Sequence, residues 1–153
     1  MCMKLSNYLS EAGISLDIQG QSKSDILSSL VGILEQMVSL KNSAEIVKKL
    51  EERENLKTTG IGSGIAIPHC KSTDVDKVYV VIGFSKEGKE FQSLDEKPAH
   101  FFFLLVAPEK SGSEHLKASA KIVRLIRDEE VRKDLLELGS PQEVIEYIKL
   151  KED

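Results

Sequence analysis

The chain has 153 residues, 41% hydrophobic and 30% charged, the composition of an ordinary globular protein and not of a disordered one. Its formal charge of −4 argues against nucleic acid or an anionic membrane as main partner, and 5% aromatics without tryptophan offer no platform for stacking bases. The length fits one domain, residues 1–153, able to bury a substantial core.

Two cysteines, Cys2 and Cys70, form neither a CxxC pair nor a Cys/His zinc spacing, so a reducing compartment is expected, with no metal and no other cofactor. The N-terminus has no long apolar stretch behind basic residues, and the apolar run 101–107 is too short to cross a bilayer. The expectation is a soluble, cytoplasmic protein without direct membrane insertion.

Residues 1–12 give a weak amphipathic start, with Leu5, Tyr8 and Leu9 at helical spacing. Ile14, Leu16 and Ile18 then alternate with Ser15 and Asp17, the period-two pattern of a half-buried strand. After a turn at Gly20, Ser22 is placed to cap a helix with Ile26, Leu30, Ile33, Leu34 and Met37 on one face. Ser43 is the expected N-cap of a second helix, with Glu45 near its positive end. Ile46, Val47 and Leu50 form its inward face, and it fades near Leu56.

A polar turn over 72–77 leads into 78–84, a nearly continuous β-branched run that reads as a strand covered on both faces. Residues 86–90, with Gly88, have turn composition. Residues 101–106 form a second such strand, ended by Pro108. Ser113 then caps a helix whose expected inward face carries Leu116, Ala120, Val123 and Ile126. Val131, Leu135 and Leu138 continue in another, stopped at Gly139. Ser140-Pro141-Gln142-Glu143 combines a Ser cap, Pro at the first helical position and Glu at the third, a capping box, ahead of Val144, Ile145 and Ile148. Doubly covered strands among helices predict an α/β protein, a three-layer α/β/α sandwich.

The chemistry concentrates in residues 53–71, Arg-Glu-Asn-Leu-Lys-Thr-Thr-Gly-Ile-Gly-Ser-Gly-Ile-Ala-Ile-Pro-His-Cys-Lys. Gly60, Gly62 and Gly64 permit positive φ and close backbone approach, so the loop can turn amides towards an anion, with Thr58, Thr59 and Ser63 adding hydroxyls. A plain turn that binds nothing fits the same residues, and the pattern is neither a Walker loop nor a dinucleotide fingerprint. Pro68 fixes the backbone before His69, at the end of what reads as a strand. An ordinary imidazole, with a pKa of about 6.5, is largely neutral at pH 7 and nucleophilic; a structural histidine is the other role open to His69.

His115, near the start of a predicted helix, can converge on His69 and donate to phosphoryl oxygens. Arg53 is either a phosphate clamp or a helix-end cation meeting the dipole. His100 precedes a buried strand and reads as structural, and nothing in the sequence marks Cys70 as a reactive thiol.

Arg53-Glu54 followed by Thr58-Thr59-Gly60-Ile-Gly-Ser-Gly-Ile-Ala-Ile-Pro-His69 closely resembles the active-site signature of enzyme IIA domains of the fructose/mannitol class. These belong to the bacterial phosphoenolpyruvate-dependent sugar phosphotransferase system and include the nitrogen-regulatory type. Lys97-Pro98-Ala-His100, Ala107-Pro108 and Ser113-Glu114-His115-Leu116 are similar as well, so the resemblance covers essentially the whole chain. It implies a sandwich with a mixed sheet, and a phosphocarrier. His69 would accept a phosphoryl group on Nε2 from phospho-HPr, or a nitrogen-type homologue, and pass it to a IIB component of a sugar permease. His115 matches the second histidine of the family site and Arg53 its phosphate-neighbouring arginine. Thr58 stands where serine is common, and Cys70 where small or polar residues are usual.

Two other roles remain open on the same chain. A nitrogen-regulatory IIA acts by phosphorylation-dependent binding of target proteins. A binding module on this fold would perform no phosphoryl chemistry, although His69, His115 and Arg53 are all in place here.

Overall fold

A computed structural model describes residues 4–152, and Cys2 lies outside them. Among these residues one sheet is built from β1 (Ile14–Ser15), β2 (Gly60–Gly62), β3 (Ile65–Ala66), β4 (His69–Ser72), β5 (Tyr79–Lys89) and β6 (Ala99–Pro108). Helices α1 (Lys23–Met37), α2 (Ser43–Leu56), α3 (Glu114–Ile126), α4 (Glu129–Glu137) and α5 (Pro141–Lys151) cover it. The strand order is β1-β5-β6-β3-β2, with β4 also paired to β6. β5 and β6 run antiparallel, whereas β1 on β5, and β3 and β4 on β6, run parallel, so the sheet is mixed.

The long apolar runs of β5 and β6 serve two cores at once, because successive side chains leave opposite faces. Val80, Ile82, Phe84, Phe101, Phe103 and Leu105 join Ile122, Val131 and Val144 of α3, α4 and α5. Val81, Phe102, Leu104 and Val106 join Leu30, Leu34, Ile46 and Leu50 of α1 and α2. That gives the three-layer sandwich expected from doubly buried strands.

Local signals place the helix ends. Ser22 Oγ accepts from Asp25 N (3.1 Å) while Asp25 Oδ2 accepts from Ser22 N (3.4 Å), a complete capping box on α1. On α5, Ser140 Oγ accepts from Glu143 N (3.2 Å), but the Glu143 carboxylate reaches one residue further out, to Gly139 N (2.7 Å). The cap of α2 is Asn42, not Ser43: Asn42 Oδ1 accepts from Glu45 N at 3.2 Å, and Ser43 is the first helical residue.

Three further expectations are corrected. The strand over 14–18 pairs regularly only at Ile14 and Ser15; Ile18 N adds one bond to Phe84 O (2.8 Å) before Gly20, at φ 124°, turns the chain into α1. Residues 86–90 are no hairpin turn, for β5 runs on to Lys89 through a bulge with Gly88 at φ 88°. The inward face of α3 is Ala118, Ile122, Leu125 and Ile126, whereas Leu116 and Val123 are 59% and 37% exposed. Two apolar stripes, 116/120/123 and 118/122/125, share this helix about 200° apart, and periodicity alone does not choose between them. The N-terminal segment makes two 3-10 turns, Leu5–Tyr8 and Glu11–Gly13, with Leu5 buried. Among the described residues no helix is long and apolar enough to cross a membrane.

Candidate functional site

β3 and β4 share one register on β6, Ile65 opposite Phe101 and His69 opposite Leu105, so 65–72 is a single extended run. Pro68 sits inside it, lacking an N–H but accepting from Leu105 N through its carbonyl (3.0 Å). His69 therefore opens β4 instead of ending a strand. Side chains alternate along β4. Cys70 packs into the α1/α2 core, which sends His69 and Lys71 to the α3 side.

The His69 ring is half-buried, and its Nδ1 lies 2.9 Å from the Ile67 carbonyl. A carbonyl can only accept, so Nδ1 carries a proton, and in the neutral ring the lone pair is on Nε2. His115 is the second residue of α3, and its own Nδ1 is buried without a hydrogen-bond partner. Burial first, then the positive charge of Lys71 and of His69, hold its pKa below the ordinary imidazole value. The Gly112 backbone opposes this weakly, too poorly placed to complete a hydrogen bond. Lys71 Nζ donates to Ser111 O (3.0 Å), binding the loop before α3 to β4. Tyr8 Oη donates to Glu114 Oε2 (3.0 Å) and ties the N-terminal turn to the start of the same helix. His69, Lys71 and His115 thus lie within electrostatic reach of one another. Lys71 belongs to no chemical motif in the sequence, although its position two residues after His69 on a strand puts it on the same face.

A second group shapes the loop before the histidine. Glu54 is only 6% exposed, yet it accepts from Lys23 Nζ (3.0 Å), Thr58 Oγ1 (3.3 Å), Thr59 N (3.0 Å) and the Thr59 hydroxyl. A buried carboxylate is tolerated only when paired and hydrogen-bonded in this way. Thr59 in turn accepts from Ile67 N through its carbonyl (3.0 Å). Glu54 stands in the motif, but nothing in sequence alone distinguishes it from a solvated helix glutamate, and Lys23 lies thirty-one residues away.

The remaining candidates spread out. Arg53 Nη1 donates to Lys57 O in the last turn of α2, capping that helix end. Gly60 fits because a Cβ there would come within 2.9 Å of Ser93 Cα, and its N–H is taken by Thr58 Oγ1 (3.0 Å). Gly62, Ser63 and Gly64 all have positive φ (102°, 58° and 81°) and form the tip of the β2–β3 hairpin, with Ser63 N held by Asp95 Oδ2 (3.1 Å). The tip lies beside His100, five residues down β6 from Leu105, the partner of His69, about 17 Å at strand rise. The fold therefore brings His69 and His115 together, sets Thr59 beside Ile67, and does not bring the glycine tip to His69. His100 Nδ1 donates to Ser85 O (2.8 Å) under the β5 bulge. Burial pushes the Cys70 thiol up to about 12.

The α/β sandwich thus sets two histidines, His69 and His115, and Lys71 at one end of β4 and α3. The model of the family described as phosphoenolpyruvate-dependent sugar phosphotransferase system, EIIA 2, matches residues 7–151, and the chain belongs to that family. It is 35% identical over 146 residues to the fructose-specific EIIABC component of Bacillus subtilis, a match covering 95% of this chain and only 23% of that protein's length. It is 33% identical over 133 residues to the nitrogen regulatory protein of Bradyrhizobium diazoefficiens, covering 87% of this chain and 86% of that one. The crystal structure of nitrogen regulatory protein IIA-Ntr from Neisseria meningitidis superposes with a TM-score of 0.85 at 29% identity, covering 94% and 98% of the two chains.

Proposed function

We propose that this protein is a cytoplasmic phosphocarrier in which His69 Nε2 attacks the phosphoryl group of phospho-HPr or a nitrogen-type homologue. The donor's N–P bond breaks, leaving its electron pair on the donor imidazole, and a new P–N bond forms at His69. The observation that carries this is the Nδ1 contact to the Ile67 carbonyl, which leaves the Nε2 lone pair free. Phosphoryl transfer asks mainly for in-line placement and for charge stabilisation on the equatorial oxygens. Lys71 supplies positive charge, and His115, largely neutral at pH 7 because its pKa is lowered, supplies an N–H donor. The N-terminal amides of α3 face the same way in charge terms, at the positive end of the helix dipole. Thr58, Thr59 and Arg53 act one step back, through Ile67 and the end of α2, and Gly60, Gly62, Ser63 and Gly64 shape the hairpin that feeds the histidine strand.

The next acceptor in this scheme is a IIB component of a fructose- or mannitol-type permease, as the EIIABC composition of the Bacillus relative suggests. A regulatory role, with target proteins bound according to phosphorylation, is favoured by the match along 86% of a nitrogen regulatory protein. The two are separated by mixing the phosphorylated protein with fructose- and mannitol-type IIB domains. Transfer of label to a IIB cysteine supports the sugar branch. Full retention of label, with a partner captured only from one phosphorylation state, supports the regulatory one.

A further inference from the structure

A second cationic site lies away from His69, in the cleft between α3, α5 and the 3-10 turn Leu5–Tyr8. Its volume is about 370 Å³, within the range of small-molecule pockets. Lys121 and Arg124 of α3 and Lys151 of α5 line it, over buried Leu5 and Leu125, with Glu152 and Lys4 at the edge.

Across the chain acids outnumber bases, 25 to 21, yet in this cleft cations outnumber the one carboxylate. That carboxylate is already occupied, since Ser6 N (3.0 Å) and Ser6 Oγ (2.6 Å) both donate to Glu152. Among the described residues Lys121 and Arg124 make no ion pair and no side-chain hydrogen bond. Lys151 lies over the Tyr147 ring, 5.7 Å from its centroid, and makes no ion pair. Converging like charges repel, and an anion of matching charge relieves that repulsion. Lys121 and Arg124, three residues apart, are neighbours on one helix surface.

We propose that this cleft binds a small phosphate monoester. Arg124 forks onto two phosphate oxygens, Lys121 and Lys151 hold the rest of the dianion, and the carbon portion rests on Leu5 and Leu125. A dianion matches three cations better than a single carboxylate does. The concave shape and the overall charge of −4 disfavour an extended polyanion. Arg124 stands nine residues along α3 from His115, roughly 14 Å at helical rise, so the cleft and the histidine cluster are separate sites.

The test is a backbone-amide NMR titration with glucose 6-phosphate and with inorganic phosphate, on wild type, Arg124→Lys and the Lys121→Gln/Arg124→Gln double variant. Expected are saturable shifts around Leu5, Lys121, Arg124 and Lys151, with the ester bound more tightly than inorganic phosphate. The double variant should bind about tenfold more weakly or worse, and Arg124→Lys should fall between, each with an otherwise unchanged spectrum. Shifts confined to His69, Lys71 and His115 would overturn the proposal. So would equal affinity for the two probes, wild-type binding by the double variant, or no saturation in the millimolar range.

Discussion

Glu54 and His69 are joined by an unbroken run of hydrogen bonds. Thr59 N donates to the Glu54 carboxylate (3.0 Å), Ile67 N donates to Thr59 O (3.0 Å), and His69 Nδ1 donates to Ile67 O (2.9 Å). A buried carboxylate on α2 is thereby linked, through Thr59, to the carbonyl that holds His69 Nδ1. Neither residue could be moved without disturbing the peptide between them.

Removing that carboxylate should be costly. Glu54→Ala leaves Lys23, Thr58 and Thr59 without their shared acceptor, and truncating one side of a buried pair costs about 3–5 kcal/mol. Glu54→Gln keeps an acceptor and should lose less. Urea unfolding monitored by circular dichroism measures both; an Ala variant as stable as wild type would remove Glu54 from this role.

His115 should titrate below the ordinary imidazole value, because burial, Lys71 and His69 all disfavour its charged form. His69→Ala and Lys71→Met should each raise its pKa, readable from the ring proton shifts across a pH series. The sign for stability follows. The unfolded chain binds this proton more readily than the folded one, so the contribution is present above about pH 6.5. It is lost as pH falls through the lower folded value. His115→Asn should flatten that part of the stability profile, and an unchanged profile would contradict the assignment.

The two stripes of α3 should respond in opposite ways. Ile122→Ala, in the core, should cost about 2–5 kcal/mol. Leu116→Ala, at 59% exposure, should change stability by no more than about 0.5 kcal/mol while slowing phosphoryl exchange with HPr, since Leu116 follows His115 on the open face. Equal destabilisation by the two variants would mean the helix is turned differently about its axis.

Cys70, partly buried against the α1/α2 core with its pKa pushed up to about 12, should react more slowly with iodoacetamide at pH 8 than a free thiol, in a Cys2→Ser background, and react fully once unfolded. Alkylation of the native protein at the rate of a free thiol would show that the α1/α2 core admits the reagent.

Much of this was legible in the sequence, because the strongest signals are local or periodic. The Ser22 and Ser140 caps and the doubly buried 78–84 and 101–106 runs needed no tertiary information. The orientation of α3 did, since Leu116, Ala120 and Val123 make as good a stripe as Ala118, Ile122 and Leu125 until the sheet selects one. The 86–90 segment kept turn composition because a bulge uses the same Gly88 that a turn would. At the site, His69 and His115 stood out as residue types in a recognisable pattern. Glu54 with Lys23, and Lys71 with Ser111, did not, because their partners lie thirty-one and forty residues away. The glycines were the most visible feature and sit at the hairpin tip, at least five strand residues from the histidine.

A phosphoryl group carried on His69 Nε2 can be located directly. The direct measurement is to incubate wild type and His69→Ala with phosphoenolpyruvate, enzyme I and HPr, then locate the phosphorylated atom by phosphorus–nitrogen coupling in NMR. Expected is one acid-labile phosphoryl group on His69 Nε2 in the wild type and none in His69→Ala. A label on His115, on His69 Nδ1, or one that survives in His69→Ala would contradict it.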